Sequence, residues 1–388
     1  MIEIEEALSI ITRNSILIQE KEVKILDALN YCLADNLISP MSLPPFDQSA
    51  MDGYAICGVC ESYDVIGEVQ AGSSISYKIN TGEAFRIFTG AMIPDGTTAI
   101  AKQEIVERSG NEIRILEEVK IGTSIRIMGE ELRKGSLVVK RNTLLTPAAI
   151  GLLSGLGIQN VKVIGKPKVT VIVTGDELTS LGQKLEKGKI YESNSYTLKS
   201  VLKSMGYDAE VKRVKDDFDA TKKVICDAID KNDVVILTGG ISVGDYDFVG
   251  KALHSIGVKE EFYKVNQKPG KPVFYGIKND VKIFGLPGNP AAVLTCFYMY
   301  VLPAIRKMAG HLDALLEKRV VDLNHDYVKR GARSYLLKAK VNNGSVQVHS
   351  GQSSAMLSSF VDANCLLLID AEEGVIKKGE RVTIFMLP

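Results

Sequence analysis

KVTVIVTGDE (168–177) and DVVILTGGISVGDYD (233–247) are the stretches that decide the fold. Each is an unbroken run of aliphatic and β-branched residues that ends in glycine. That is the pattern of a strand buried on both faces, as in a parallel sheet covered by helices. The segments around them alternate in the same sense. Helical spacing runs from about Ser195 to Gly206, from about Ala220 onward, and over about 247–256. DAEVKRV (208–214), PVFYGI (272–277) and VKIFG (281–285) read as further strands, and a long apolar helix starts at Pro290. A doubly wound, mostly parallel α/β domain over 167–310 follows.

Outside this domain the pattern changes. Apolar residues at Ile2, Ala7, Leu8 and Ile11, then Val23, Leu26, Leu29 and Leu33, have helical spacing up to the Leu43–Phe46 break. Short β-type runs broken by glycine fill about 54–128, and Thr146-Pro147 starts a helix over about 147–156. RSYLLKAKV (333–341), SVQVHS (345–350), CLLLIDA (365–371) and RVTIFML (381–387) form a last β region. The expected division is a helical domain of 1–45 with 131–166, a small β module of 46–130, the α/β domain of 167–310, and a C-terminal β-barrel-like domain of 311–388.

Composition narrows the partners. Lys+Arg and Asp+Glu are both 47, so there is no net field to attract nucleic acid or an anionic membrane. Aromatic residues are 6% and Trp is absent, which argues against a base-stacking platform. MIEIEEALSII lacks the basic start of a signal peptide, and the apolar run Ala291–Ile305 is too short to span a bilayer. Six cysteines without regular spacing fit a reducing, cytoplasmic setting. Cys57 and Cys60 have C-x-x-C spacing but lack the two further ligands of a zinc site, so they read as ordinary thiols.

In a doubly wound sheet the ligand sits beyond the carboxyl ends of the strands. Four loops there are unusual: Thr174-Gly175-Asp176-Glu177; Thr238 to Asp247 with Gly239, Gly240, Ser242 and Gly244; Lys264 to Pro272 with Lys268 and Lys271; and Gly285 to Pro290 with Pro287 and Asn289. Glycines let backbone N–H groups approach a phosphate. Asn289 suits a helix N-cap, Pro290 suits the first helical position, and the lysines add positive charge. Carboxylates beside an anion pocket suggest phosphoryl or nucleotidyl chemistry with Mg²⁺. Gly240-Ile241-Ser242-Val243-Gly244 also matches the nucleophile elbow of serine hydrolases, but His311, His325 and His349 all lie beyond the α/β region.

P-x-F-D-x-S-A-M-D-G-Y-A from Pro44, F-R-I-F-T-G-A from Phe85, T-G-D-E-L, T-G-G-x-S-V-G-x-x-D, K-P-G-K-P and G-L-P-G-N-P occur in this order. Together they resemble the MoeA family, the molybdopterin molybdenumtransferases, which are also similar to the C-terminal part of gephyrin. The resemblance spans essentially the whole chain. It implies insertion of molybdenum into molybdopterin, with adenylylated molybdopterin and molybdate as substrates and Mg²⁺ assisting release of AMP. It carries catalytic roles onto Asp52, Thr89, Glu177, Asp216, Asp247, Lys264, Lys268 and Lys271, with Glu177 and Asp247 at the metal. Pro287 and Pro290 shape a substrate loop, Arg333 and Ser354 contact the oxyanion, and Gly239, Gly240, Ser242, Gly244, Pro272 and Asn289 complete the binding set. Glu131 stands where an Asp is common, and Ala292 where many relatives have Ser. The resemblance further implies a homodimer whose site joins the α/β domain of one copy to the β module of the other. The pathway's adenylyltransferase is a further expected partner. Two alternatives are an adenylyltransferase acting one step earlier, which would be a short single-domain chain, and a gephyrin-like scaffold.

Overall fold

The computed structural model describes residues 1–241, 248–372 and 374–388. Two compact units account for the chain. One comprises Met1–Ala34, Asn142–Thr146 and Asn160–Pro388, and the other Asp35–Arg141 with Pro147–Gln159.

The larger unit is built on a six-stranded sheet. In chain order its strands are β1 (Val169–Thr174), β2 (Ala209–Val214), β3 (Val234–Thr238), β4 (Lys259–Lys264), β5 (Pro272–Lys278) and β6 (Val281–Leu286), in spatial order β2-β1-β3-β6-β5-β4. β2, β1, β3 and β6 run parallel, whereas β5 pairs antiparallel with both β6 and β4. β1 shows why its run is unbroken: Val169, Val171 and Val173 join the core on one face, and Ile172 joins that on the other. The first core takes Leu198 and Leu202 from helix Asn194–Ser204 together with the helix from Pro290, and the second takes Ile225, Ala228, Val249 and Leu253 from two helices opposite. The helix from Pro290 continues to Met308 through a π-helical turn, Phe297–Val301. Its 19 residues exceed the apolar run expected from sequence and would reach across a bilayer by length, but 83% of an 18-residue stretch of it is buried in the protein.

The C-terminal strands close on themselves. β7 (Lys318–Leu323), β8 (Ser334–Asn342), β9 (Ser345–Val348), β10 (Cys365–Ile369) and β11 (Arg381–Met386) follow the order β8-β9-β7-β11-β10, and β10 pairs back to β8. A closed barrel leaves no open sheet edge. Its interior includes Leu323, Leu337, Ala339, Leu367 and Ile384.

The N-terminal region corrects one expectation. Helix Ile4–Asn14 forms and buries Ile4, Ala7, Leu8 and Ile11 in the core that holds the Pro290 helix. The second apolar series does not continue the helix. Glu20–Lys24 is a strand paired with Asn160–Ile164, Ile25–Ala28 is a single 3₁₀ turn, and Leu26 is left 81% exposed. Pairing with a strand some 140 residues away overrode local spacing.

The smaller unit holds a second six-stranded sheet, in the order Ala99–Lys102, Gly53–Ile56, Glu83–Ile87, Ser62–Val69, Glu112–Ile115 and Val106–Ser109. Its short strands match the glycine-broken runs. Helix Pro147–Gly155 belongs to this unit and buries only Leu153.

One pH effect follows from the larger unit. His311 is partly buried with its Nε2 3.3 Å from the Tyr207 hydroxyl. Burial, then the charges of Arg306 and Lys166, hold its imidazole down at about 4. The unfolded chain takes up this proton as pH falls through about 6.5, and the folded chain does so only near 4. The stabilisation is therefore complete above pH 6.5 and is lost between 6.5 and 4. In urea unfolding, His311→Asn should lessen the loss of stability between pH 7 and pH 4 by about 2 kcal/mol, the linkage value discounted for partial exposure.

Candidate active site

Parallel strands bring their carboxyl ends to one side, and the loops marked by sequence collect there. β1 leads into Gly175–Glu177, β2 into Asp216, β3 into Gly239–Gly240, β6 into Pro287–Pro290, and β4 connects to β5 through Val265–Lys271. The loops after β1 and β2 clasp each other: Asp176 N–H donates to Asp216 Oδ2 at 3.3 Å, and Asp216 N–H to Asp176 Oδ1 at 3.4 Å. The Glu177 carboxylate folds back over Gly175, where an added Cβ would lie 2.6 Å from Oε2. Among the described residues no salt bridge engages the carboxylates of Asp176, Glu177 or Asp216, although the Lys189 ammonium donates to the Asp176 carbonyl. No group of three metal-ligating side chains is assembled among those residues either.

Gly239 and Gly240 have φ of 89° and 64°, and a Cβ on Gly239 would lie 2.6 Å from the Thr174 carbonyl oxygen. Only glycine allows β3 to turn this close to β1. Ser242, Gly244 and Asp247 lie outside the described residues.

Two groups that the sequence reading passed over hold these loops. Asn194, on the first turn of its helix, donates through Nδ2 to Thr238 Oγ1 at 2.8 Å and to the Gly288 carbonyl at 2.9 Å, joining the second loop to the fourth. The Glu192 side chain is almost fully buried and receives Ser195 N–H at 2.7 Å and Arg213 Nη2 at 3.1 Å. Arg213 also donates to Ser180 Oγ, so the ion pair anchors the segment that follows Glu177. Glu192→Gln should keep the fold but cost about 1–2 kcal/mol in thermal or urea unfolding, the range of a charge-assisted bond made neutral.

A cavity of about 640 Å³ opens between these loops and the barrel. Lys268, Lys271, Pro272, Pro287, Asn289, Arg333 and Ser354, all marked from sequence, line it together with Ala292, Tyr327 and Tyr335. Its basic wall is held from behind by Gln267, which is fully buried. Gln267 Nε2 donates to the carbonyls of Pro269 at 3.0 Å and Gly270 at 3.2 Å, its Oε1 accepts from the Tyr300 hydroxyl, and its carbonyl accepts from Arg333 Nη1 at 3.2 Å. Gln267–Lys268 also pairs with Ser334–Tyr335 of β8, which fixes the lysine loop to the barrel. Lys268 Nζ stands 5.0 Å from the Tyr335 ring centroid. Lys264 does not line this cavity: it ends β4, pairs with Pro272, and has Nζ 5.3 Å from the Tyr263 ring.

The fourth loop differs from expectation in one respect. Asn289 occupies the N-cap position with Pro290 following, but its side chain does not cap the helix. It donates instead to Ser354 Oγ at 2.9 Å, a partner on the barrel side that no local pattern reveals.

In the smaller unit, Asp52 Oδ1 accepts from Thr89 N–H at 2.8 Å and from the Thr89 hydroxyl at 2.7 Å. These two bonds, the backbone one first, hold the carboxyl below the usual aspartate range. Arg86 steadies the same corner by donating to the Gly53 carbonyl at 2.8 Å and stacking near the rings of Tyr54 and Phe88. Glu131 is exposed, 4.0 Å from Arg126. Cys57 packs with Ala55 and Phe85, whereas Cys60 packs with Tyr54, Ile56 and Tyr63. Side chains alternate along a strand, so the two thiols serve opposite faces of the sheet, as ordinary thiols do.

Three family models match this chain in succession: MoeA N-terminal region (domain I and II) over residues 2–157, "Probable molybdopterin binding domain" over 170–307, and MoeA C-terminal region (domain IV) over 321–387. The chain belongs to the MoeA family. A MoeA relative from Haemophilus influenzae, named molybdopterin molybdenumtransferase, is 35% identical and the match covers 94% of this chain and 93% of the relative. One of the same name from Staphylococcus aureus is 31% identical over 99% of this chain and 95% of its own. A crystal structure of the molybdopterin biosynthesis MoeA protein from Pyrococcus horikoshii superposes with a TM-score of 0.83 at 30% identity, covering 100% of both chains. Because MoeA models match the regions on both sides of the central domain, the reading as a single-domain adenylyltransferase is not favoured.

Proposed function

We propose that this protein is a molybdopterin molybdenumtransferase, which takes adenylylated molybdopterin and molybdate to molybdenum cofactor and AMP. The observation that carries the reading is the cavity in which Lys268, Lys271 and Arg333 meet Asn289 and Ser354. Ammonium, guanidinium, amide and hydroxyl donors around one space suit a tetrahedral oxyanion and a phosphate together. Lys268 and Lys271 offset charge that develops on phosphate oxygens, and Arg333 and Ser354 orient the oxyanion. Lys264 supports this wall from the end of β4. The glycine pair after β3, with Ser242 and Gly244 beyond it, brings backbone donors close to the pterin phosphate. No covalent nucleophile is required.

The carboxylates of Glu177, Asp176 and Asp216 form no salt bridge among the described residues, a donor set that fits a hard divalent cation. Glu177 and Asp247 would hold Mg²⁺, and Asp216 adds a carboxylate next to Asp176. When bound, Mg²⁺ neutralises charge on the phosphoanhydride as it is cleaved.

The working unit is a cytoplasmic homodimer in which Asp52 and Thr89 of one copy complete the site of the other. The uncovered apolar helix Pro147–Gly155 and the exposed Leu26 support burial against a second copy. The four-domain division read from the sequence describes each copy, and the adenylyltransferase of the pathway supplies the substrate. Incubation with adenylylated molybdopterin and Mg²⁺, with and without molybdate, tests the reading. Molybdate-dependent release of AMP is expected, and equal release without molybdate would overturn it.

A further inference from the structure

β8 places Tyr335 and Leu337 on the cavity wall, and strand alternation turns Lys338 away from it. Lys338 is 1% exposed and has no carboxylate partner among the described residues. Its ammonium donates to the carbonyls of Gly351 at 2.9 Å, Ser353 at 3.2 Å and Met356 at 2.9 Å. An ammonium has three donors, so all are used on one segment, 351–356. Gln352 fastens the same segment to the Lys338 backbone, accepting its N–H at 3.0 Å and donating to its carbonyl at 2.8 Å.

That segment carries Ser354 to the cavity. The Ser354 carbonyl accepts Ala292 N–H at 3.1 Å, and its Oγ accepts Asn289 Nδ2 at 2.9 Å. A hydroxyl that accepts from an amide keeps its own proton for another acceptor. On the open side that proton faces the cavity. A methionine of similar length would fill the Lys338 site without the cost of burying a charge. The ammonium therefore serves the placement of the loop rather than the packing of the barrel.

We propose that Lys338 is a positioning residue for oxyanion binding, acting through Ser354 and touching no substrate. The inference rests on the transferase reading. Its test is calorimetric binding of molybdate to the full chain, with steady-state kinetics alongside, for wild type, Lys338→Met, Ser354→Ala and the double variant. Lys338→Met should weaken molybdate binding about tenfold and raise the KM for molybdate by a similar factor. The kcat should stay within about threefold, and the KM for adenylylated molybdopterin should be unchanged. Because both side chains act through one hydroxyl, the double variant should bind no more weakly than the worse single variant. If near-UV circular dichroism shows Lys338→Met unfolded, Lys338→Gln, which keeps two donors, should weaken binding about threefold. Wild-type affinity in the folded variant, or losses that multiply in the double variant, would overturn the inference. Wild-type protein that binds no molybdate would instead remove the transferase reading, and the positioning role with it.

Discussion

Two inactive variants, Asp52→Ala and Lys271→Ala, are expected to recover about a quarter of wild-type AMP release when unfolded and refolded together. Asp52 lies in the smaller compact unit and Lys271 in the larger. In the proposed C2 dimer each site takes one residue from each copy. Random mixing makes about half of the dimers mixed, by the counting that two-fold symmetry imposes, and each mixed dimer has one site with both lesions and one with neither. Each variant refolded alone gives only background. No recovery, in a sample whose mixed dimers are verified by native mass spectrometry, would place Asp52 and Lys271 of the same copy in one site.

Gly270→Ala is expected to destabilise the protein by about 3–4 kcal/mol and to abolish molybdate-dependent activity. Gly270 has φ of 81°, and an added Cβ would stand 2.3 Å from Cys296 Sγ and 3.0 Å from Gln267 Nε2. Both neighbours are fully buried, so neither can yield cheaply. The left-handed backbone costs a residue with a Cβ about 1–2 kcal/mol, and overpacking adds about 1–3. Gly257 is the control: its φ is 76° but nothing lies within 4 Å of its would-be Cβ. Gly257→Ala should cost only about 1 kcal/mol. Equal urea midpoints for the two variants would show that Gly270 is not crowded as described.

The parts of this protein that sequence exposes are those whose cause is local. β1 and β3 are legible because strands covered on both faces must be continuously apolar, and the loops after them because glycine and proline leave a visible mark. Five residues of the glycine- and proline-rich loops after β4 and β6, Lys268, Lys271, Pro272, Pro287 and Asn289, line the cavity, whereas Arg333 and Ser354 are marked only through the family resemblance. What escaped depends on distant partners. β4, KEEFYK, is an edge strand with charged residues and lacks the apolar run of its neighbours. The Val23–Leu33 series imitates helical spacing, while its actual partner is the strand Asn160–Ile164. Gln267 and Lys338 look like surface residues in the sequence, and their roles appear only once a loop's carbonyls are folded over them. Asn289 starts a helix as its sequence suggests, but its side-chain bond runs to a serine 65 residues on.

The seating of helix Ile4–Asn14 also sets an order of events during synthesis. Its apolar face is buried against residues of the helix that ends at Met308, and Ile2 N–H bonds to the Lys264 carbonyl. A ribosome adding about 5–20 residues per second makes those partners roughly 15–60 s after the first helix has left it. For that interval the helix has no place to dock. Glu5, Glu6 and Arg13 on its outward side must then keep four apolar side chains in solution. The helix is thus secured only after a long stretch of later chain has been made, so a chain stalled before residue 290 would carry an exposed amphipathic segment, open to chaperones and proteases.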